Sequence, residues 1–515
     1  MFRSLAIRNY RIWFIGALVS SVGTWMQATA QNWVVLTELT DNDAFAVGVT
    51  MALQFAPQLL LVPVTGLIAD RFDRRTTLML TQGSMMMLGL ALGVLLVTGV
   101  AQLWHLYAFA LALGIVSAVD TPVRQTIVTD LVSSSHMSNA VALNSASFNT
   151  ARLIGPAVAG VLIVLVGSGW VFIVNAATFL AMLGALALLR TDSMRQHARG
   201  PRQRGQLVAG FRYVAGRPDL VVVFVIVFLI GAFGMNFPIF ASTMAVEFGR
   251  GAGEFGLLSS ILAIGSLAGA LLAARRDRAR LRVVIIAAGF FGLAALIAAL
   301  MPTFWTFAAS MVLIGFGVVT ILTTANGYVQ STTDPALRGR VMALYMAVMV
   351  GGTPVGAPIV GAVADAFGPR WALGVAASAG ATAALIGLGW LIVARGMHLA
   401  RHPRARWRPV VRFADAPTAA LAAIATQPVE VVRDLEAEQR EREHALVPPV
   451  PTDRLVPADF SEQVALTSPI PLTKPGHRDA ASRESGTREP GTREPIHRDG
   501  RRGETGPRCE ASPAT

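Results

Sequence analysis

One cysteine, Cys509, and one lysine, Lys474, occur in the 515 residues. A lone thiol excludes an internal disulfide and a thiolate metal cluster, and it says nothing of redox compartment. Charge is scarce as well. Asp, Glu, Lys and Arg make up 14% of the chain, where a soluble domain carries about 25%. No Gly-x-x-x-x-Gly-Lys-Ser/Thr loop is present to cradle nucleotide phosphates, which argues against ATP as a direct energy source. No His-Glu-x-x-His occurs, and His105 and His136 fall in separate connections, out of ligand spacing. No enzyme, metal or organic cofactor is expected.

What the chain has in quantity is apolar sequence. It is 53% hydrophobic with a mean hydropathy of +0.55, the profile of an integral membrane protein. Twelve runs of about 20 residues, the length that crosses a bilayer as a helix, lie at 12–37, 46–69, 76–98, 103–129, 139–165, 170–190, 219–246, 254–274, 283–301, 304–329, 341–364 and 371–394. Arg3, Arg8 and Arg11 precede the first run, and Ala28-Thr29-Ala30 resembles a signal-peptidase site. The run continues past that site through Trp33 to Leu36, so it is read as an uncleaved spanning helix.

The formal net charge of +12 sits on arginines between the apolar runs. That is a topology pattern and not a nucleic-acid stripe. Connections after runs 2, 6, 8 and 10 hold Arg71, Arg74, Arg75, Arg195, Arg199, Arg202, Arg204, Arg275, Arg276, Arg278, Arg280, Arg338 and Arg340, whereas the opposite connections hold Arg250 and Arg370. Excess arginine marks the cytoplasmic side, so both termini are expected inside.

An arginine-rich connection, 191–218, separates six runs from six. A faint repeat spans it. Gln125, Asp130, Asn139-Ala-Val-Ala-Leu143 and Gly155-Pro156 recur roughly 200 residues later as Gln330, Asp334, Arg340-Val-Met-Ala-Leu344 and Ala357-Pro358. The expected fold is therefore an all-α membrane protein of twelve helices in two repeat-related bundles. The N-terminal bundle is 1–190, the cytoplasmic linker 191–218 and the C-terminal bundle 219–398. A largely disordered cytoplasmic tail, 399–515, follows.

The most informative stretch joins runs 2 and 3: Gly66-Leu-Ile-Ala-Asp70-Arg71-Phe-Asp73-Arg74-Arg75. Such a cluster cannot lie in hydrocarbon and must turn at the membrane surface. Gly66 permits close packing of the second helix on the other half. Asp70 can accept from helix N-termini or pair with arginine. Arg71, Arg74 and Arg75 suit the anionic inner leaflet. Arg275-Arg276-Asp277-Arg278 is a degraded echo that keeps the charge and loses the glycine and spacing.

This stretch resembles the signature between helices 2 and 3 of the major facilitator superfamily. Further elements narrow the resemblance: Phe2-Arg3-Ser4-Leu5, Asn9-Tyr10-Arg11, Thr24-Trp-Met-Gln27, Gln31-Asn32-Trp33, Asp120-Thr-Pro-Val-Arg124-Gln125, Asn139-Ala-Val-Ala-Leu-Asn144 and Arg152-Leu-Ile-Gly155-Pro156-Ala-Val-Ala-Gly160. Together, over about residues 2–395, they are similar to the branch containing the enterobactin exporter and the macrolide efflux pumps. Gly155, Pro156 and Gly160 resemble a helix-5 motif of exporters, with Ala159 where many such motifs carry glycine. The resemblance implies a substrate site between the halves and alternating access.

Ionisable residues at membrane depth are functional candidates. Asp120 and Arg124 share a helix face at i, i+4, and Arg152 has no acid near it on its own run. They are expected to form a charge network that couples transport to protonation or to an anionic substrate; a static packing pair is the other reading of Asp120–Arg124. Gln27, Gln31, Asn32, Asn236 and Asn326 are expected to line the cavity, since amides avoid lipid. Interhelical hydrogen bonding fits each of them equally.

Beyond Met397, Arg401, Arg404, Arg406, Trp407, Arg408 and Arg412 form a basic strip suited to the inner leaflet. Residues 428–446 read as a charged helix, and the Pro-, Gly- and Arg/Glu-rich remainder cannot bury a core. The expectation is a transporter in a bacterial inner membrane, exporting a small amphiphilic compound such as a drug or siderophore on the proton gradient. Its partners would be substrate and bilayer, with no nucleic acid and an unknown tail partner. Lysolipid or nutrient transport, and a sensor or scaffold acting through the tail, are the alternatives.

Overall fold

A computed structural model describes residues 3–61, 65, 71–190, 206–276, 278–395, 398–402 and 405–412. Gly66, Asp70, Asp277, most of the linker and the tail beyond Arg412, including the 428–446 segment, lie outside the described residues.

Twelve helical spans follow in order: α1 Arg8–Thr37, α2 Ala44–Leu60, α3 Arg74–Val97, α4 Leu103–Leu131, α5 Ser134–Val166 and α6 Ser168–Ala187, then α7 Pro218–Glu247, α8 Ala252–Ala274, α9 Leu281–Leu300, α10 Phe304–Thr332, α11 Arg338–Phe367 and α12 Pro369–Arg395. A short linker helix, Gln206–Ala215, precedes α7. Ten of the twelve are long and apolar enough to cross a membrane by those properties alone. The exceptions are α1, interrupted by Gln27, Gln31 and Asn32, and α2, whose described part ends at Leu60. Leu80, Val164, Leu165, Ile286 and Leu385 stand exposed on the outer faces. Such an apolar surface needs lipid tails around it.

Local chemistry sets the helix ends. Asp73 caps α3 by accepting from Thr76 N at 2.8 Å, and Asp43 caps α2 by accepting from Ala46 N at 2.8 Å. Each cap satisfies a backbone donor that the first turn leaves unpaired. Gly167 ends α5 with φ 91° and Gly368 ends α11 with φ 97°. This left-handed backbone is one that glycine adopts without steric cost, and it occurs at matching places in the two halves.

The helix pairings repeat as well. In the first half α2 packs on α4 and α3 on α6; in the second α8 packs on α10 and α9 on α12. Residues of the N-terminal motifs tie α1 to the start of α5: Asn139 Oδ1 accepts from Ser4 N at 2.9 Å, and Tyr10 Oη donates to Ala140 O at 2.9 Å.

The seventh span departs from a continuous helix. It runs as Pro218–Leu229, a π-helical turn Ile230–Gly234, and Phe237–Glu247 after a break. Pro238 in the first turn of the last piece cannot donate a hydrogen bond, which favours the break. Gly352 and Gly356 of α11 lie against the backbone of Gly231 and Ala232, so the loosened turn is clasped from outside.

Beyond the bundle, β1 His398–His402 pairs antiparallel with β2 Ala405–Arg412, His398 opposite Arg412. The tail from 399, expected to be largely disordered with a charged helix at 428–446, thus opens on a short paired segment. The Trp407 and Val410-Val411 side-chain types favour extended pairing over coil in this stretch.

Candidate functional site

The described part of the charged turn is held by protein contacts. Arg74 Nη1 pairs with Asp130 Oδ1 at 2.6 Å, joining the start of α3 to the end of α4. Arg75 donates from Nε to Leu186 O at 2.7 Å and from Nη2 to Ala187 O at 3.0 Å, capping the last carbonyls of α6. Both arginines, expected at the lipid surface, also bind protein partners. The C-terminal end of α6 presents acceptors, and Asp130 a charge, within reach of the guanidinium groups. Arg71 is exposed. Gly66 and Asp70 lie outside the described residues. This end of the bundle, with Arg71, Arg74, Arg75, Arg276 and Arg340, is the arginine-rich end.

Asp120 is buried, 4% exposed, and its carboxylate is fully employed. Oδ2 accepts from Arg124 Nε at 3.0 Å, and Oδ1 accepts from Thr81 Oγ1 and from Gln82 Nε2, each at 2.7 Å. The i, i+4 pair foreseen on α4 thus gains two partners from α3. Ser20 of α1 donates to Gln82 Oε1 at 3.4 Å, extending the cluster to a third helix. Arg152 is not brought into this cluster. Its guanidinium carbon stands 5.7 Å from the Trp25 ring centroid, on the wall of a different feature.

That feature is a cavity of about 400 Å³ between the two halves. Trp25, Asn32, Gln54, Phe148 and Arg152 line it from the first half, and Met235, Phe237, Phe255, Ser259, Met311 and Thr353 from the second. Phe148, one turn closer than Arg152 to the arginine-rich end, is 52% exposed, so the cavity opens on that side. Toward the other end Trp33 of α1 stacks on Phe255 of α8 at 5.7 Å with both rings buried.

Two matching helix crossings close that far end. Where α2 meets α11, Gly48 lies against Ala357 O and Gly361 against Ala44 O. Where α5 meets α8, Gly160 lies against Ala252 O and Gly256 against Pro156 O. A methyl group at any of the four would collide with a backbone carbonyl. Each crossing is a reciprocal pair of glycines, and the two crossings are equivalent under the repeat. The helix-5 motif supplies half of one crossing: Gly160 faces α8, Pro156 presents its carbonyl and lines the cavity, and Gly155 fits against Val22 O and Trp25 of α1.

Among the amides expected on the cavity wall, Asn32 lines it, while donating to Ala28 O at 2.7 Å. The others are absent from its wall and bond to neighbouring helices or within their own span. Gln27 accepts from Asn175 Nδ2 at 2.6 Å, tying α1 to α6. Gln31 donates to Gln54 Oε1 at 3.0 Å, and it is Gln54 that reaches the wall. Asn236 donates to Ala232 O at 2.6 Å, satisfying a carbonyl beside the α7 break. Asn326 accepts from Gln330 on the same helix. A buried amide must find a partner wherever it sits, so polarity alone does not assign it to the cavity.

Several residues of the site carry no sequence signal of their own. The aromatic and methionine wall, Met51, Phe55, Phe148, Phe237, Phe255 and Met311, is indistinguishable from core in a chain this apolar. Asp365 was missed because it falls just past the eleventh apolar run. Its Oδ1 and Oδ2 accept from Ala44 N and Phe45 N, each at 2.8 Å, linking α11 to the start of α2. An acid one turn before a helix-ending glycine could have flagged it. Asp219, in the first turn of α7, pairs with Arg217 at 2.8 Å and accepts from Tyr328 Oη of α10 at 2.9 Å.

The chain has recognisable relatives. A family profile described as transmembrane secretion effector matches residues 1–424. The staphyloferrin A transporter of Staphylococcus aureus is 27% identical over 365 residues, 70% of this chain and 90% of that protein. The enterobactin exporter EntS of Salmonella typhimurium is 24% identical over 418 residues, 79% of this chain and 95% of that one. Among solved structures, a bacterial homologue of the iron transporter ferroportin superposes with a TM-score of 0.57 at 15% identity, over 74% of this chain and 98% of that chain. The nucleoside transporter NupG superposes with a TM-score of 0.60 at 14% identity, over 74% and 99%.

Proposed function

Because this chain belongs to the transmembrane secretion effector family of major facilitator transporters, we propose that it exports a small amphiphilic compound across the bacterial inner membrane, driven by the proton gradient. The observation that carries this reading is the cavity of about 400 Å³ between the halves, sealed at one end by paired glycine crossings and open at the other. Alternating access needs such a cavity, with two gates that open in turn.

The excess of arginine at the open end supports a cytoplasmic assignment for that end and for both termini. The open end is then where an exporter loads. The apolar wall, with Asn32, Gln54 and Thr353 among it, suits a drug-sized amphiphile. Asp120 is the proton-coupling residue in this reading. It is the carboxylate of the α3–α4 polar cluster, and its protonation on Oδ2 would release Arg124 while Oδ1 still accepts from Thr81 and Gln82. Substrate and proton act by binding the two gate states unequally. The names of the staphyloferrin A and enterobactin relatives favour a siderophore-like cargo over a lysolipid or nutrient.

Everted membrane vesicles test the proposal. An exporter accumulates compounds from a drug and siderophore panel when a proton gradient, acid inside, is imposed, and accumulates none when it is collapsed. Equal uptake in both conditions removes proton drive; uptake only in right-side-out vesicles reverses the direction. Removing residues 413–515 should leave transport intact, and loss of the phenotype with transport unchanged would favour the sensor reading.

A further inference from the structure

Several arginines at the helix contacts of the bundle find oxygen partners. Arg124 has Asp120, Arg74 has Asp130, Arg217 has Asp219, and Arg370 donates to Ala299 O and Met301 O at 3.0 and 2.9 Å. Arg152 has none among the described residues. It faces the Trp25 ring on the wall of the central cavity, among Phe55, Phe148 and Phe237. A half-buried guanidinium on a largely apolar wall without an anion is incompletely compensated, and the ring face offsets only part of that cost. The interior acids Asp120, Asp130, Asp219 and Asp365 are each engaged elsewhere. Among the described residues none of these acids pairs with Arg152, so its place on the wall suits an anion that enters the cavity.

We infer that Arg152 and Trp25 form an anion subsite of the central cavity, and that the cargo is an organic acid: a carboxylate or comparable oxyanion on a flat, apolar body. This rests on the transport reading and names its substrate class. The planar guanidinium takes a carboxylate through two parallel hydrogen bonds. Trp25 and Phe148, whose rings meet edge to face at 5.7 Å, offer the adjoining aromatic surface. The residue is also well placed to report occupancy. It lies one turn before Pro156 and two turns before Gly160, on the same helix that forms the α5–α8 crossing, so a force on Arg152 bears directly on the seal. A neutral or cationic amphiphile would leave the guanidinium unpaired and bind less well.

The test is equilibrium dialysis of the full-length protein in nanodiscs with 2-naphthoate and, separately, uncharged 2-naphthamide. Wild type is expected to bind the acid about tenfold more tightly than the amide. Arg152→Gln should abolish that preference, and Arg152→Lys should retain part of it. Equal binding of the two probes by wild type, binding of neither, or an undiminished preference in Arg152→Gln overturns the inference. If Arg152→Gln fails to fold, the wild-type comparison and Arg152→Lys still decide it. Vesicle transport separates the two readings: acid-selective binding without transport sinks the export reading alone, and transport of neutral compounds without acid preference sinks the anion subsite alone.

Discussion

Asp365 Oδ1 accepts a hydrogen bond from Ala44 N at 2.8 Å, so the end of one half's α11 caps the first turn of the other half's α2. Its second oxygen takes Phe45 N, also at 2.8 Å. A carboxylate on a helix N-terminus gains from both the unpaired donors and the helix dipole. The bond joins the two halves at the closed far end of the cavity, the position a latch would occupy.

Removing the latch should shift the gate equilibrium. Losing about 1 kcal/mol changes a two-state ratio about fivefold. In a Cys509→Ser background carrying Ala28→Cys on the cavity wall, Asp365→Ala is expected to raise labelling by an impermeant maleimide added outside intact cells about fivefold. An unchanged labelling rate would show that the bond does not control opening.

The glycine crossings should tolerate nothing larger. Gly256→Leu places a side chain into Pro156 O, and Gly361→Leu does the same to Ala44 O. Overpacking of this kind costs about 1–3 kcal/mol, here in the closed state alone. Transport should fall about tenfold with normal membrane levels, by the factor that about 1.4 kcal/mol represents. Gly184→Leu, where the added group meets open space, serves as the control. Wild-type transport by Gly256→Leu would contradict the seal.

Asp120 can be examined for structure and coupling separately. Asp120→Asn keeps the acceptor for Thr81 and Gln82 and strands Arg124, a loss of about 3 kcal/mol if the charge stays buried. Asp120→Asn with Arg124→Gln should recover most of that stability in a thermal melt. Proton-driven uptake into everted vesicles should stay absent in both variants. Uptake restored in the double variant would reduce the pair to a packing device.

The two charged turns at the arginine-rich end should differ in importance. Asp70 belongs to a glycine-containing turn, and Asp277 to an echo that lacks the glycine. At equal expression, Asp70→Asn is expected to impair transport more than Asp277→Asn. Equal losses would undo the assignment of the first turn as a gate.

Sequence alone determined the number and order of the spans, because a bilayer demands about 20 apolar residues per crossing and no tertiary contact can alter that length. The arginine asymmetry and the duplication were legible for the same reason: they are properties of the chain in one dimension. The broken seventh span was half legible, in Asn236 beside Pro238, but the π turn that precedes it was not. Which face of each helix meets the cavity was not legible at all. In helices apolar all round, the lipid, the core and the cavity call for similar side chains, and an amide such as Gln27 is satisfied equally by Asn175 or by a ligand. Only the tertiary structure separated Arg152 from Asp120, because it alone shows which charges have partners. It alone paired Gly48 with Ala357, Gly256 with Pro156, and Asp365 with Ala44, since each joins residues of different halves whose proximity follows from packing rather than spacing.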